Sequence, residues 1–316
     1  FIGDSTAAAQ ALANKELDIY AGQPTADAVE ALKALKGVKT IGGVSACFEH
    51  VDVRVGSIIP NESYTGVFAG MTTRAKELRR AFLLAFPRQD IIDTLVKPVN
   101  SNAVLGNSSF LLPGQSGYNE ASAYTKSIYA TGTQAQRTAK ALALVKKYYK
   151  TAKAGSKSVR VNILWGQPSN TRRANEFQLA RYELGKAGFD LTNAGGTSGW
   201  SAFLDSNAYD AAFFAWCPSS VSQTGSNANF KSDGGNNLIG YNSPAMDKIL
   251  DKLETKLTDA QVIAQYKAAD KLIADDAITL PIFQHPAVTA HNAALKGVKP
   301  APLTPNIVWN YWEWTY

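Results

Sequence analysis

Hydrophobic residues recur along this chain with two periods, and each period predicts a different element. Val262, Ile263, Tyr266, Ala269, Leu272 and Ile273 repeat at helical spacing behind Thr258 and Gln261, which together form a capping-box pattern. Thr133 and Gln136 make a second such box, ahead of Ala139, Leu142, Val145 and Tyr149. Ser243 followed by Pro244 predicts a capped helix start, with Met246, Ile249, Leu250 and Leu253 forming its apolar stripe. A further helix is predicted from near Arg173 to Lys186, ended by Gly188. Between these lie strands. Val159 to Ile163 alternates apolar and polar residues, whereas Ala211 to Trp216 is continuously apolar and reads as buried on both faces. Thr279 to Phe283 is a third strand, whose Pro281 favours an end or an edge. Helices alternating with short strands give an α/β architecture. The longest irregular stretch is 219–237, rich in Gly, Ser and Asn. It follows a buried strand end, where α/β sheets tend to place ligands.

Composition narrows the class. The 316 residues are 45% hydrophobic and 18% charged, which suits a folded globular protein rather than a disordered one. No apolar run is long enough to span a bilayer, and no signal-peptide pattern or starting Met is present, so the chain reads as mature or as a fragment. The net charge of +6 is spread out. The pairs Arg79-Arg80 and Lys146-Lys147 fall within amphipathic helical patterns and read as solvated faces, so no nucleic-acid partner is expected. Two cysteines cannot build a dense disulfide scaffold or a four-thiolate metal site. Phosphate-binding glycine loops, a dinucleotide fingerprint, His-Glu-x-x-His and a nucleophile elbow are all missing. Of the three histidines, His285 and His291 lack a third ligand nearby in sequence, so no metal site or cofactor is expected. The chain reads as a non-enzyme.

Four ordered stretches resemble the peptide, oligopeptide and nickel family of extracellular solute-binding proteins. Ala8 to Ile19, with its small residues and Lys15-Glu16-Leu17-Asp18, is similar to the family's "Gly-Glu-Ile-Asp" strand entry. Glu77 to Ile92 resembles the signature "Val-Arg-x-Ala-Leu-x-x-Ala-x-Asp-Arg-x-x-Ile", with Pro87 where an Asp is usual. Asp210 to Cys217 resembles "Phe-Asp-x-x-x-x-Gly-Trp". Gly240 to Asp247 and Ala277 to Ile282 resemble "Tyr-x-Ser-Pro-x-Phe-Asp" and the strand that ends in Pro-Ile/Val.

The resemblance implies a type II periplasmic-binding-protein (Venus-flytrap) fold, with a mixed sheet flanked by helices. It implies a partial first-lobe segment over 1–46, a complete ligand-binding lobe over 47–287, and a return to the first lobe over 288–316. Family chains are longer, and the rest of the first lobe is expected before Phe1. The aromatic tail from Trp309 to Tyr316 fits a final segment of that lobe, and ordinary packing explains its aromatics without a ligand. The implied function is capture of oligopeptides for an ABC importer, with permease and ATPase subunits as partners. The protein would be monomeric, as a membrane-anchored extracellular lipoprotein or in the periplasm. Other ligands of the class are sugars, nickel and small cations, and a sensor or scavenger ectodomain would carry the same pattern. An oligosaccharide pocket would draw on Asn227, Asn229, Asn236 and Asn237.

Candidate ligand contacts follow from the same likeness: Trp200 and Phe203 in a pocket segment; Ala215, Trp216 and Cys217 at the strand end; Ser219 and Ser220 beyond it; and Gln284 and His285 alongside. Cys47 and Cys217 match cysteine positions of the oligopeptide-binding branch, which implies a disulfide between them. Ser219 stands where oligopeptide binders carry an Asp for the peptide ammonium, with Glu49 a candidate to restore the charge.

Overall fold

The computed structural model describes residues 2, 5–22, 25–166, 170–195, 204–303 and 306–316. Its centre is a six-stranded sheet. The strands are β1 (Ile19–Gly22), β2 (Val38–Val53), β3 (Val159–Trp165), β4 (Phe189–Asn193), β5 (Ala211–Trp216) and β6 (Thr279–Asn292). Their order across the sheet is β1-β6-β2-β5-β3-β4. The β3 strand is parallel to both β4 and β5, and all the other pairings are antiparallel.

Long strands β2 and β6 form the spine. Their ladder breaks between Val44 and Phe48, opposite Pro286 and Gln284. On one side of the break β1 pairs with β6, and α1 (Ser5–Ala13) and α2 (Ala26–Ala34) pack around Leu12, Tyr20, Leu32 and Ala290. On the other side β2 pairs with β5 from Phe48 to Val53. There the main core fills the space between sheet and helices, with Phe82, Phe86, Phe189, Phe213 and Phe283 at its centre.

The four helices read from the sequence form where their signals place them, and further helices join them. α3 (Thr73–Ala85) is capped by Thr72, and α4 (Arg88–Ile91) runs into a π turn over Ile92–Val96. α5 covers Tyr118–Tyr129 and α6 covers Gln134–Tyr148, the latter behind its complete Thr133/Gln136 capping box. α7 (Thr171–Lys186) starts at an Asn170 cap, and Gly188 follows with φ +86, a conformation that suits glycine. α8 is the short turn Asn227–Phe230. α9 (Pro244–Leu253) has Ser243 as cap, and α10 (Asp259–Asp276) has the complete Thr258/Gln261 box. These last two close a second core around Phe230, Tyr241, Met246 and Tyr266.

Two sequence expectations need correction. Lys146 and Lys147 are solvated, but Arg79 is fully buried. Its guanidinium donates to the carbonyls of Phe68 (2.6 Å), Gly70 (2.7 Å) and Asp276 (3.0 Å), tying three segments together. Arg88 does the same for Gly106, Pro281 and Tyr129, and its burial pulls its pKa down to about 9. The asparagines proposed for a sugar site are largely absorbed by the loop itself. Asn227 and Asn229 are buried, and Asn237 bonds to Lys231 and to both backbone groups of Tyr241.

Asp270 of α10 is fully buried and accepts from the Ser109 amide at 2.9 Å. Burial pushes its pKa up to about 7. A carboxyl raised on folding favours the folded state at low pH, and that contribution is lost as pH rises from the unfolded value through about 7. Asp270→Asn is therefore expected to raise Tm relative to the parent above that pH, and the gain should vanish in acid. A melting series across pH checks this.

Candidate functional site

Parallel strands β3, β4 and β5 all end on one side of the sheet, and the segments that follow them gather there. At that level Phe48 of β2 lies between Trp216 of β5 and Gln284 of β6. A disulfide joins Cys47 to Cys217, so the strand entering the large half is tied to the end of β5. The expected pairing is present.

Among the described residues, the end of β5 has a partner on one edge only. It pairs with β3 only over Ala211–Phe213, and the Gly166 amide closes that ladder on the Phe213 carbonyl at 3.1 Å. Ala215 and Trp216 continue beyond, held by β2 on their other edge, and no described residue pairs with the edge that faces away from β2. Trp216 is half-buried and stacks on His50 (centroids 5.8 Å, planes 16° apart) and against Phe214 at 5.1 Å. Ser219 and Ser220 are exposed. Ser220 joins Phe48, Phe110, Pro218 and Tyr266 around a hollow of about 90 Å³. Gln284 turns its amide to the Ser45 carbonyl at 2.8 Å, across the break in the ladder. Trp200 and Phe203 lie outside the described residues.

His285 is not exposed as a pocket-lining residue would be. It is 2% exposed, and its Nε2 meets Glu49 Oε2 at 2.7 Å. Glu49 has no exposed surface, so it is closed off from a ligand ammonium. It accepts from Arg173 Nε (2.8 Å) and Nη2 (3.1 Å) and from Arg172 Nη2 (3.2 Å). Arg172 also pairs with Glu176 one turn along α7. Burial alone would raise the pKa of Glu49, but Arg173, Arg172 and the His285 hydrogen bond outweigh it and hold the carboxylate well below its ordinary range. Glu176 is the opposite case: burial, with Glu49 adding to it, pushes its pKa up to about 7 against the pull of Arg172. Burial lowers His285 to about 4, so its ring is neutral at physiological pH.

A larger cavity, about 720 Å³, opens beside this cluster. One wall comes from α1 and α2, with Gln10, Thr25 and Asp27. The other comes from the π turn and the first turn of α7, with Thr94, Thr171, Arg172 and Asn175. Among the described residues, none of the site residues expected from the sequence lines it. A signal that could have pointed this way is the Asn170 cap, a helix start placed after a strand end. Among the described residues no three His, Cys, Asp or Glu side chains group as a metal site would require.

Residues 1–237 match the sequence profile of bacterial extracellular solute-binding proteins, family 5 Middle. The chain belongs to that family. A search of curated proteins finds no match. Among solved structures, a periplasmic EDTA-binding protein, EppA, superposes with a TM-score of 0.81 at 21% identity, covering 99% of this chain and 57% of that one. The oligopeptide-binding protein AppA from Bacillus subtilis, in complex with a nonapeptide, gives 0.72 at 16% identity, covering 99% and 59%. NikZ from Campylobacter jejuni, in complex with Ni(L-His), gives 0.72 at 15%, covering 100% and 60%. The fold of this solute-binding chain is thus the mixed α/β periplasmic-binding type II fold, and the chain spans under two thirds of the length of these proteins. Among the described residues, no helix is long and apolar enough to cross a membrane.

Proposed function

We propose that this chain is the ligand-binding part of a solute-binding protein that captures oligopeptides outside the cell and hands them to an ABC permease driven by its ATPase subunits. The open edge of β5 at Ala215 and Trp216 carries this reading. An extended peptide can add to such an edge through main-chain hydrogen bonds, which give affinity without demanding a sequence. The half-buried Trp216 supplies apolar area for varied side chains, the role the family resemblance gives Trp200 and Phe203. Ser219 and Ser220 offer hydroxyls where the edge ends. The break in the β2/β6 ladder between 44 and 48 serves as the hinge between lobes, dividing 1–46 and 288–316 from the ligand-binding lobe over 47–287. The protein works as an exported monomer, lipid-anchored or periplasmic, and binds its solute without transforming it.

Native mass spectrometry of the full-length protein with its co-purified ligand tests this directly. A peptide ladder is expected, and a single non-peptide mass would overturn the oligopeptide assignment. A second measurement concerns the ammonium. Exposed Ser219 carries no charge, Glu49 is enclosed, and Asp27 is exposed, where an ion pair contributes about 1 kcal/mol at most. N-acetylation of a bound peptide is therefore expected to change Kd by less than about tenfold. A larger loss by calorimetry would show that the ammonium is read by a buried acid.

A further inference from the structure

No long run of adjacent basic residues marks this sequence, yet its charge is unevenly placed. Between Glu120 and Glu176 there is no acidic residue, and eleven lysines and arginines fall in that interval. The whole chain nets +6, so the remainder is net acidic. Arg137 and Arg173 of this set are buried. Lys146, Lys147, Lys150, Lys153, Lys157 and Arg160 are exposed.

The fold gathers these six at one pole. Lys146 and Lys147 lie in the last turn of α6, Arg160 is the second residue of β3, and the loop between them carries the other three. That loop is tied to the end of α7, where the Gly155 amide donates to the Gly185 carbonyl at 2.9 Å. Exposed Arg74 of α3 joins them, donating to the Tyr149 hydroxyl at 3.2 Å with its guanidinium 5.9 and 5.7 Å from the Tyr148 and Tyr149 rings. Glu77 pairs with Lys147 at 2.8 Å, and Asp190 lies 3.9 Å from both Lys157 and Arg160. Among the described residues no acid pairs with Arg74, Lys146, Lys150 or Lys153. Their charges add to a positive field with no built-in counter-charge. Parallel strands β3 and β4 begin at this pole and end at the candidate site, which places the two about 20 Å apart, the length of a seven-residue strand.

We infer that this pole is a docking surface for the anionic headgroups of a membrane, holding the protein against the bilayer with the candidate site turned away and open to solute. Charge complementarity carries the assignment, and three features favour a lipid surface. The basic side chains come from a helix end, a loop and a strand start, and none of them lines the two cavities described above. They are therefore arranged to meet a surface rather than to enclose a small ion. The half-buried rings of Tyr148 and Tyr149 stand among them, and tyrosine suits the boundary between headgroups and water. The family is extracellular, which puts a bilayer surface within reach. Attachment through lysine and arginine is electrostatic, so salt reverses it. The inference goes beyond the proposed function and does not depend on the choice of ligand.

Co-sedimentation of the full-length protein, prepared without lipid modification, with vesicles tests this. Vesicles of equimolar phosphatidylglycerol and phosphatidylcholine are expected to take up about tenfold or more protein than pure phosphatidylcholine at about 50 mM salt, and the difference should vanish at about 0.5 M. A Lys146→Glu/Lys150→Glu/Lys153→Glu variant should lose that uptake with its circular dichroism unchanged. A Lys248→Glu/Lys252→Glu/Lys256→Glu variant makes the same change in net charge at exposed positions elsewhere and should keep most of it. Equal uptake by the two kinds of vesicle, or equal loss in the two variants, would overturn the inference. So would binding of soluble heparin through the three lysines without uptake by vesicles, which would make the partner an anionic polymer. The oligopeptide reading is tested by its co-purified ligand, and none of these outcomes bears on it.

Discussion

Replacing Arg173 with methionine is expected to destabilise the protein by about 3–5 kcal/mol, the cost of leaving a buried charge without its partner. Glu49 has no exposed surface and takes two of its hydrogen bonds from Arg173. Arg172 reaches the same carboxylate through Oε2 only, so Oε1 would lose the partner it has in Arg173. The Gly166 carbonyl at the end of β3 would also lose its donor. Substituting Glu49 with leucine in the same chain should recover much of the loss, because an apolar pair of similar volume owes no desolvation penalty. Urea titrations of the two single variants and the double variant measure the coupling. A loss under about 1 kcal/mol for Arg173→Met would mean that water reaches Glu49 and that the carboxylate is not enclosed.

Removal of the disulfide should have a comparable effect. Cys47 and Cys217 are separated by 170 residues, and the chain-entropy argument for so long a loop gives about 5 kcal/mol as an upper figure. A paired Cys47→Ser/Cys217→Ser variant is expected to lose about 2–5 kcal/mol in thermal or denaturant unfolding. The parent should lose the same amount when reductant is added, and the variant should be indifferent to it. The unfolded, unreduced parent should show no titratable thiol.

Four helices and three strands were legible because their signals are local. Both capping boxes, the Ser243-Pro244 start and the Gly188 stop act within a turn of the residues that carry them. The continuous apolar run of β5 reflects burial on both faces of a sheet, which leaves its mark on every residue of the strand. The order of the family motifs likewise carried the disulfide and the fold. Burial of charge was not legible. Arg79 looked like half of a solvated pair, and only the approach of the Phe68, Gly70 and Asp276 carbonyls makes it an internal clamp. His285 and Glu49 are 236 positions apart, and both were candidates for contact with the ligand. The pairing of β2 with β6, and the packing of α7 beneath them, turn both inward and leave Arg172 at the cavity instead. Local sequence determines caps, periods and strand faces, because the forces that set them act over a few residues. Which charge is enclosed and which one lines the cavity depends on contacts between distant segments, and tertiary structure alone decided it.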